Sequence, residues 1–384
     1  MRVKLCILVP THWEAHMGGS QYQAKVLVDY LLAHYDVDIV YLTTRADPAF
    51  TPTGYRIVSF SERGSMRRYG KFFDVVPLYR ALARERPDII LQFVGSGYTG
   101  IAALYARRPG CKMIWRVTSD RSVEPETSSW LQPHRRIERL FLNFGIRNAT
   151  LILAQTEYQR ARLQETFPHA PVQVLANFHP TPPDCGRNGA VVKQVVWIAN
   201  LKPLKNPSAF VRLARRFAHR SDIRFVMVGS ALAGDPWTKQ QLAQIAATPN
   251  LEYLGALSQA AVNELLEHTD LLVNTSDYEG FSNTFIQAWM RRVPVVSLHV
   301  DPDRLLSRGG LGAVAGTEDG LHERVAALLA DPDRCSAIGA DARRYALENH
   351  AESNIETLAR LCCISTAGRA HNRSSTSSAR SLSS

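Results

Sequence analysis

The chain has 384 residues, which is long enough for two domains, and 45% of them are hydrophobic, which is enough for two cores. No apolar run reaches the roughly 18 residues of a membrane span, and the N-terminal run predicts a first buried strand rather than a signal peptide. The six cysteines show no metal-ligand spacing, which favours reduced thiols in a cytoplasmic protein over a disulfide scaffold.

The net charge of +10 is unevenly distributed. Residues 1–190 contain 24 Lys and Arg against 16 Asp and Glu, a balance of +8, whereas residues 191–364 contain 18 against 19, a balance of −1. The basic half has clusters at 67–71, 80–86 and 135–139 and suits an anionic partner. We expect an anionic membrane surface and no nucleic acid, with solvated helix faces as the alternative explanation of each cluster.

Hydrophobic patterning predicts two successive series of strands and helices. The first has strands at 3–9, 37–42, 56–59, 89–94, 113–117, 151–154 and 172–175, and helices at 21–34, 75–86, 130–147 and 157–166. The second has strands at 194–199, 224–228, 252–254, 271–274 and 293–297, helices at 207–218, 236–247, 259–268 and 283–291, and final helices near 320–330, 334–347 and 351–362. Such alternation predicts an α/β fold with mostly parallel sheets covered on both faces.

Composition indicates the domain boundaries. Proline and glycine concentrate between the two series, and the last residues are mainly Ser, Thr, Arg and Gly. We predict five parts: an N-terminal domain at 1–178, a linker at 179–192, a C-terminal domain at 193–348, a C-terminal helix at 349–364 with the N-terminal domain as one candidate packing partner, and a disordered tail at 365–384.

The clearest functional pattern runs from Glu279 to Gln287, directly after a short apolar strand. Parallel strands open into a cleft at their C-terminal ends, where ligands of open α/β sheets bind. Gly280 lets the backbone approach a ligand, and Ser282 or Asn283 can cap the following helix. The amides at that helix start would face an anion, and Glu279 and Gln287 can both point into the cleft. This arrangement is typical of a sugar-nucleotide site.

The sequence Glu-Gly-Phe-Ser-Asn-Thr-Phe-Ile-Gln at 279–287 resembles the signature of GT-B glycosyltransferases of the large retaining family 4. The resemblance implies two Rossmann-like, doubly wound parallel-sheet domains facing across a cleft. It also implies that Glu279 contacts the donor sugar, that the amides from Phe281 to Asn283 hold the diphosphate, and that Gln287 meets the ribose in place of a second Glu. An uncharged amide makes weaker bonds there. The structural alternative is a capped helix that packs aromatic residues into a core.

Other segments are similar to further donor-binding loops of the family. Lys202 and Lys205 lie in a strand-to-helix loop that resembles the family's Gly-Arg-Leu motif with its later Lys. Asn200 stands in place of the Arg, so Lys202 is the candidate to replace its charge, with looser phosphate geometry. Smaller parts of the resemblance complete the predicted donor site: the Gly-Gly loop at Gly18 and Gly19, and the strand ends at Gly229 and Leu254.

A dinucleotide site is the rival interpretation. Gly95-Ser-Gly-Tyr-Thr-Gly100 is a Gly-x-Gly-x-x-Gly pattern between a strand and a helix, and Asp120 follows it by twenty residues. Alone, this pattern predicts an NAD-dependent oxidoreductase, but it begins at the fourth strand and leaves the second domain unexplained. In the GT-B interpretation the loop lines the acceptor side of the cleft. A noncatalytic GT-B binding protein is a third alternative, because several family residues are replaced.

The resemblance implies transfer with retention, in which the departing phosphate helps to accept the proton of the acceptor. Such a route needs charge stabilisation more than a protein base, and Lys202, Lys205 and the loop amides would supply it. The family's His after the fifth strand is missing, so its role is empty or falls to Ser119 or Asp120. Glu279 and Asp120 are therefore the catalytic candidates. We expect no cofactor and no metal, although Asp301-Pro-Asp303 imitates a metal-binding Asp-x-Asp motif.

The resemblance also suggests substrates. We expect a UDP- or GDP-activated hexose or N-acetylhexosamine as donor, and a glycan or polyprenyl-linked oligosaccharide as acceptor, in the synthesis of a surface polysaccharide. The expected location is the cytoplasm, with peripheral contact at the inner face of the plasma membrane.

Overall fold

The computed structural model describes residues 2–61, 74–124, 133–184 and 192–364, with backbone alone for 133–135. Three predicted features lie outside the described residues: the tail at 365–384, most of the second half of the linker, and the basic cluster at 67–71.

The N-terminal domain contains a parallel sheet in the order β3-β2-β1-β4-β5-β6-β7. Its strands are β1 (Val3–Leu8), β2 (Val37–Thr43), β3 (Arg56–Ser59), β4 (Ile89–Phe93), β5 (Lys112–Arg116), β6 (Leu151–Ala154) and β7 (Val172–Val174). Its described helices are α1 (Gly19–His34), α2 (Val75–Glu85), α3 (Gly97–Ala106), α4 (Pro133–Asn148) and α5 (Glu157–Thr166). The central strands are apolar almost throughout because helices cover both faces of the sheet.

The C-terminal domain repeats this design with a parallel sheet in the order β10-β9-β8-β11-β12-β13. Its strands are β8 (Lys193–Ile198), β9 (Ile223–Val228), β10 (Leu251–Tyr253), β11 (Leu271–Asn274), β12 (Val295–Ser297) and β13 (Gly312–Val314). Its helices are α6 (Pro207–Arg216), α7 (Pro236–Ala246), α8 (Gln259–Glu267), α9 (Asn283–Trp289), α10 (Glu318–Ala330) and α11 (Pro332–Asn349). The predicted class, two parallel-sheet α/β domains, is confirmed.

A last helix, α12 (Ser353–Leu361), returns to the N-terminal domain and packs on α1. Ile355 and Leu358 lie in the core cluster that also contains the side chains of α1 and β1. The Tyr30 hydroxyl of α1 donates a hydrogen bond to Glu356 at 3.2 Å. The chain thus crosses between the domains twice, which fixes the C-terminal helix on the N-terminal domain.

Residues 279–282, called the donor loop below, lead into helix α9. This helix is shorter than predicted. It ends at Trp289 rather than near 291, and Arg292 has a left-handed φ of 58°. The reason is Pro294, since the residue before a proline is disfavoured in the helical region and the helix must end upstream. Strand β13 was not predicted, because its three residues begin with glycine and carry little apolar pattern.

Candidate functional site

The predicted site lies where the carboxyl ends of β8 and β11 meet. The two strands are direct neighbours in the sheet, so the loops that follow them approach each other. Lys205 follows β8 and Glu279 follows β11, and their side chains form an ion pair with Nζ and Oε1 2.8 Å apart. The structure therefore brings together two residues that were predicted independently from separate motifs.

Thr275 holds the Lys205 loop in place. Its Oγ1 accepts a hydrogen bond from Trp197 Nε1 at 2.9 Å and faces the carbonyl oxygens of Lys205 and Asn206 at 2.8 and 2.9 Å. Asn206 adopts a left-handed φ of 45°, and Pro207 starts α6 immediately afterwards. The lysine is thus presented by a short loop with a fixed backbone.

Glu279 is a well-supported carboxylate. Besides Lys205 it accepts hydrogen bonds from Asn274 Nδ2 at 3.0 Å and from the Ser276 hydroxyl at 2.5 Å. Burial alone would raise the pKa of Glu279, but the Lys205 charge and the hydrogen bonds of Lys205, Ser276 and Asn274 hold it below its ordinary value. Glu279 is therefore ionised at neutral pH.

Asp120 approaches the same region from the N-terminal domain, in a short 3₁₀ turn after β5. Its Oδ1 accepts a hydrogen bond from Gln159 Nε2 at 2.8 Å. Burial raises the pKa of Asp120 to about 6; the Gln159 bond opposes this rise, and the carboxylates of Glu124, Asp303 and Glu279 add to it. A carboxyl group that titrates near neutral pH in a cleft is a candidate functional residue.

A cavity of about 700 Å³ is lined by Asp120 and by loops of the C-terminal domain. The residues lining it come from the start of α5 on one side and from the loops after β11 and β12 on the other. They include six carboxylate side chains: Asp120, Glu157, Asp277, Glu279, Asp301 and Asp303. Arg304 also lines the cavity, so the lining is acidic on balance, and carboxylates of this kind accept hydrogen bonds from a ligand's hydroxyl groups.

Asp301 and Asp303, which imitate a metal motif in the sequence, are occupied by backbone amides. Asp301 accepts from the amides of Leu306 and Ser307 at 2.9 and 3.3 Å, and Asp303 accepts from two amides of α5. Within the described residues, no group of three or more His, Cys, Asp and Glu side chains is placed to hold a metal ion.

Several of the predicted donor-site residues form contacts between the two domains. Asn283 Nδ2 donates to the carbonyl oxygen of Gly19 at 3.0 Å, and a Cβ on Gly19 would lie 3.2 Å from that nitrogen. Asn200 Nδ2 donates to the Met17 carbonyl oxygen at 3.1 Å, close to Gly18. The Gly-Gly loop thus lies directly against the C-terminal domain, which is a closed arrangement of the cleft.

The start of α9 differs from expectation in its hydrogen bonds. The Phe281 amide is already bonded to Gln155 Oε1 at 3.2 Å. Ser282 is the N-cap residue, but its hydroxyl pairs with that of Thr284 at 2.9 Å and makes no capping bond. Gln287 is buried, and its side chain lies close to the hydroxyl of Tyr22 in α1.

The remaining predicted donor residues lie at the edges of this region. Gly229 follows β9, and a Cβ there would lie 1.7 Å from the Ala199 carbonyl oxygen, so the position tolerates only glycine. Leu254 follows β10 at the rim of a core cluster. Lys202 is exposed and lies near His16. Burial is the main cause that lowers the pKa of His16, and the charges of Lys202 and Arg45 lower it further.

The glycines of the rival dinucleotide motif have a packing explanation. A Cβ on Gly95 would lie 2.7 Å from the Trp115 ring, and one on Gly100 would lie 2.3 Å from the Phe141 carbonyl oxygen of α4. Ser96 caps α3 together with Thr99. The motif therefore allows a close crossing of α3 and α4, and the oxidoreductase interpretation is not favoured.

Sequence reasoning missed three buried amide residues at this interface: Gln155, Gln159 and Asn177. Asn177 Nδ2 donates to Asn283 Oδ1 at 3.0 Å, and its Oδ1 accepts from Gln155 Nε2 at 2.9 Å. Isolated Gln and Asn residues have no local sequence pattern, so only their meeting across the cleft reveals them.

Comparisons with known proteins agree with this geometry. A family model described as glycosyltransferase family 4 matches residues 17–181, and one described as glycosyl transferases group 1 matches residues 192–331. No curated protein sequence matches the chain.

Similar solved structures extend over nearly the whole chain. Sucrose-phosphate synthase from Thermosynechococcus elongatus is 13% identical, with a TM-score of 0.76 over 94% of this chain and 98% of its own. Anabaena HepE in complex with UDP and glucose is 17% identical, with a TM-score of 0.73 over 94% of this chain and 100% of its own. WaaG, a glycosyltransferase involved in lipopolysaccharide biosynthesis, is 14% identical, with a TM-score of 0.73 over 93% of this chain and 99% of its own.

Two parallel-sheet domains that face each other across a cleft define the GT-B class of glycosyltransferases, and the protein is an enzyme of that class. The two family matches fall on the two domains in turn. The chain belongs to the family 4, group 1 type of glycosyltransferases. Among the described residues, no helix combines the length and the apolar character that a membrane crossing requires.

Proposed function

We propose that the protein is a retaining glycosyltransferase that moves a hexose or N-acetylhexosamine from a nucleoside-diphosphate sugar to a glycan or a lipid-linked oligosaccharide. The observation that carries this proposal is the Lys205–Glu279 ion pair at the carboxyl ends of two adjacent strands. It places a cation for a diphosphate directly beside a carboxylate for a sugar. Such a pair gives a donor both of the contacts that transfer requires.

The donor is a UDP-sugar or a GDP-sugar, with UDP favoured. The similar HepE structures contain UDP and UDP-glucose, and in this chain Gly229 and Leu254 directly follow β9 and β10, at the carboxyl edge of the C-terminal sheet. Gln287 and Tyr22 offer uncharged polar groups that suit ribose hydroxyls. Ribose recognition then depends on uncharged hydrogen bonds, which are weaker than those of a second carboxylate.

Lys205 stabilises the leaving diphosphate, and Glu279 orients the sugar. As the bond from the anomeric carbon to the phosphate oxygen breaks, negative charge grows on that oxygen and the Lys205 ammonium offsets it. Glu279, ionised and fixed by Ser276 and Asn274, accepts hydrogen bonds from sugar hydroxyls and supports positive charge on the ring. The acceptor oxygen bonds to the same face of the carbon, and its proton passes to the departing phosphate.

Asp120 stands on the acceptor side of the same cavity. Its pKa of about 6 leaves it mostly ionised at neutral pH, so it can accept a hydrogen bond from a substrate hydroxyl. Because Lys205 provides the charge that the leaving group needs, we propose that the reaction proceeds without a metal ion.

The residues that line the cavity also support a proposal for the acceptor class. The acidic side of its lining suits the hydroxyls of a neutral sugar better than a second phosphate group beside the reacting hydroxyl. The nucleophile is therefore a sugar hydroxyl that lies away from any lipid diphosphate, as in a growing surface polysaccharide.

The lipid end of such an acceptor matches a different surface, formed by α2, α3 and α4. These adjacent helices expose four large apolar side chains: Val76, Leu104, Ile137 and Leu140. Exposed arginines lie on the same helices or directly after them: Arg80, Arg84, Arg107, Arg108 and Arg147. Apolar side chains among arginines suit an anionic bilayer surface. We place the enzyme in the cytoplasm, at the inner face of the plasma membrane.

Thermal stabilisation tests the donor half of the proposal. The purified protein is heated with UDP, GDP, ADP, CMP or NAD, each with and without Mg²⁺, and a ligand at a hundredfold excess over its Kd adds about 2.7 kcal/mol to the stability. We expect a shift with UDP or GDP that does not depend on Mg²⁺, and release of that nucleotide from its sugar conjugate. A shift with NAD alone, or nucleotide binding without any turnover, would overturn the proposal in favour of an oxidoreductase or a noncatalytic protein respectively.

A further inference from the structure

The amide side chains between the domains are connected in one fixed direction. Arg116 Nη2 donates to Asn177 Oδ1 at 3.0 Å, and a guanidinium can only donate. Asn177 must therefore turn its Nδ2 towards the C-terminal domain, where it meets Asn283 Oδ1. Asn283 in turn must direct its own Nδ2 to the Gly19 carbonyl oxygen, which can only accept.

Gln155 and Gln159 have equally fixed orientations. The backbone amide of Gln155 donates to Gln159 Oε1 at 2.8 Å, so Gln159 must turn Nε2 to the Asp120 carboxylate. The Phe281 amide donates to Gln155 Oε1, so Gln155 must turn Nε2 to Asn177. Both side chains are at least 95% buried, and each has a partner on both its oxygen and its nitrogen.

The two glutamines also fit the shape of the donor loop. A Cβ on Gly280 would lie 3.0 Å from Gln155 Oε1, 3.0 Å from Gln159 Nε2 and 3.4 Å from Ser119 Cα. The backbone next to Glu279 thus rests directly on the glutamine pair and on the segment that carries Asp120. A Cβ at this position would force its neighbours to move by a few tenths of an ångström, so glycine allows the approach without such a shift.

We propose that Gln155 and Gln159 are positioning residues with divided tasks: Gln155 docks the donor loop in the closed cleft, and Gln159 aims the Asp120 carboxylate into the cavity. The inference rests on the proposed function, since it assigns the support of the same site. Neither glutamine needs to touch the substrate. Because the backbone amide of Gln155 is what orients Gln159, a change of the Gln155 side chain leaves the Asp120 contact in place.

This division gives a test with two separate readouts. UDP release from UDP-glucose, or from whichever donor sugar the enzyme hydrolyses or transfers, is measured against pH for the wild type, Gln159→Leu and Gln155→Leu. Gln159→Leu removes the hydrogen bond that stabilises the ionised form of Asp120, so the pKa of Asp120 rises. We therefore expect the acidic limb of kcat/KM to move up by about one pH unit. Gln155→Leu is expected to raise the donor KM about tenfold and to leave the acidic limb unchanged.

A swapped pair separates orientation from charge. In Asp120→Asn/Gln159→Glu, the new amide donates to the new carboxylate, which still accepts the Gln155 amide. We expect this double variant to recover the Tm lost by Gln159→Glu alone. We expect it to recover no activity, because its carboxylate is at position 159 and no longer at position 120 beside the cavity. Gln241→Leu is the control, since Gln241 is also a buried glutamine, accepts from Ser208 at 2.7 Å and lies outside the site.

Two results would overturn the inference: equal shifts of the acidic limb in both single glutamine variants, or no shift in Gln159→Leu. Turnover by the wild type would still support the proposed function in either case. If the wild type turns over no donor, the proposed function fails. The titration of Asp120 is then measured from the difference in Tm between the wild type and Asp120→Asn across a range of pH. A midpoint that rises in the Gln159→Leu background still supports the positioning role, and an unmoved midpoint rejects it.

Discussion

The carboxylate of Asp303, in the C-terminal domain, accepts a hydrogen bond from the backbone amide of Glu157, in the N-terminal domain, at 2.9 Å. Its other oxygen accepts from the Tyr158 amide at 3.0 Å. One domain thus supplies an N-terminal cap to a helix of the other, where free amides and the helix dipole both favour a negative charge. Opening of the cleft must break these bonds.

Asp303→Asn is therefore expected to weaken donor binding. Asparagine tolerates the left-handed backbone of this position, with its φ of 48°, but it has one acceptor oxygen and no charge. The closed state should lose about 1 kcal/mol, which corresponds to a Kd for UDP several-fold higher by calorimetry. Asp331→Asn is the matched control, because Asp331 caps α11 within one domain. Equal Kd values for all three proteins would show that the cap has no role in closure.

Lys205→Met is expected to lower kcat/KM at least a hundredfold, because the charge that stabilises the leaving diphosphate is lost. Lys193→Met provides a close comparison. Lys193 pairs with Asp270 at 3.7 Å with similar exposure, but it lies at the opposite end of β8 from the cleft. We expect its activity to stay within about threefold of the wild type. Similar losses in both variants, measured by nucleotide release, would argue that stability rather than transition-state charge explains the effect.

Asp120→Asn is expected to stabilise the protein above pH 6. The folded pKa of about 6 is higher than the ordinary 3.8, so the folded state holds its proton more tightly, and stability falls as the pH rises from about 4 to 6. Removal of the charge should add on the order of 2 kcal/mol at pH 7.5 and little at pH 4. Urea titrations at several pH values measure this difference, with the exposed Asp341→Asn as control. A gain that does not vary with pH would contradict a raised pKa of Asp120.

The sequence predicted the framework of the site better than its contacts. Glu279 and Lys205 follow apolar strands and lie within motifs, so their strand-end position could be predicted from local pattern. Asn283 was predicted to bind the donor, and the structure adds contacts that join its side chain to Gly19 and Asn177. Contacts of this kind depend on how two separately folded domains close, and no local pattern encodes that geometry.

The glycine motif after β4 gives a test of packing against dinucleotide binding. Gly100→Ala places a methyl group 2.3 Å from the Phe141 carbonyl oxygen, so we expect a loss of about 1–3 kcal/mol in stability. Gly97→Ala, in the same motif, meets no atom closer than 3.9 Å and should not destabilise. Chemical denaturation distinguishes the two variants. Equal stability of both, together with an NAD-dependent rise in Tm, would restore the dinucleotide interpretation.

Membrane contact through α3 and α4 predicts a specific loss of vesicle binding. Leu104 and Leu140 are 45% and 66% exposed on these two packed helices, and burial of these exposed parts in a bilayer interface contributes about 2–3 kcal/mol. We therefore expect Leu104→Ser/Leu140→Ser to reduce sedimentation with anionic vesicles at least tenfold. Leu232→Ser is the control, because Leu232 is 69% exposed, close to the 66% of Leu140, but belongs to the C-terminal domain. Binding should also fall with added salt, since Arg107 and Arg108, which follow α3, and Arg147 of α4 contribute by charge. Vesicle binding that is unchanged in the double variant, or lost equally with Leu232→Ser, would move the membrane contact away from this surface.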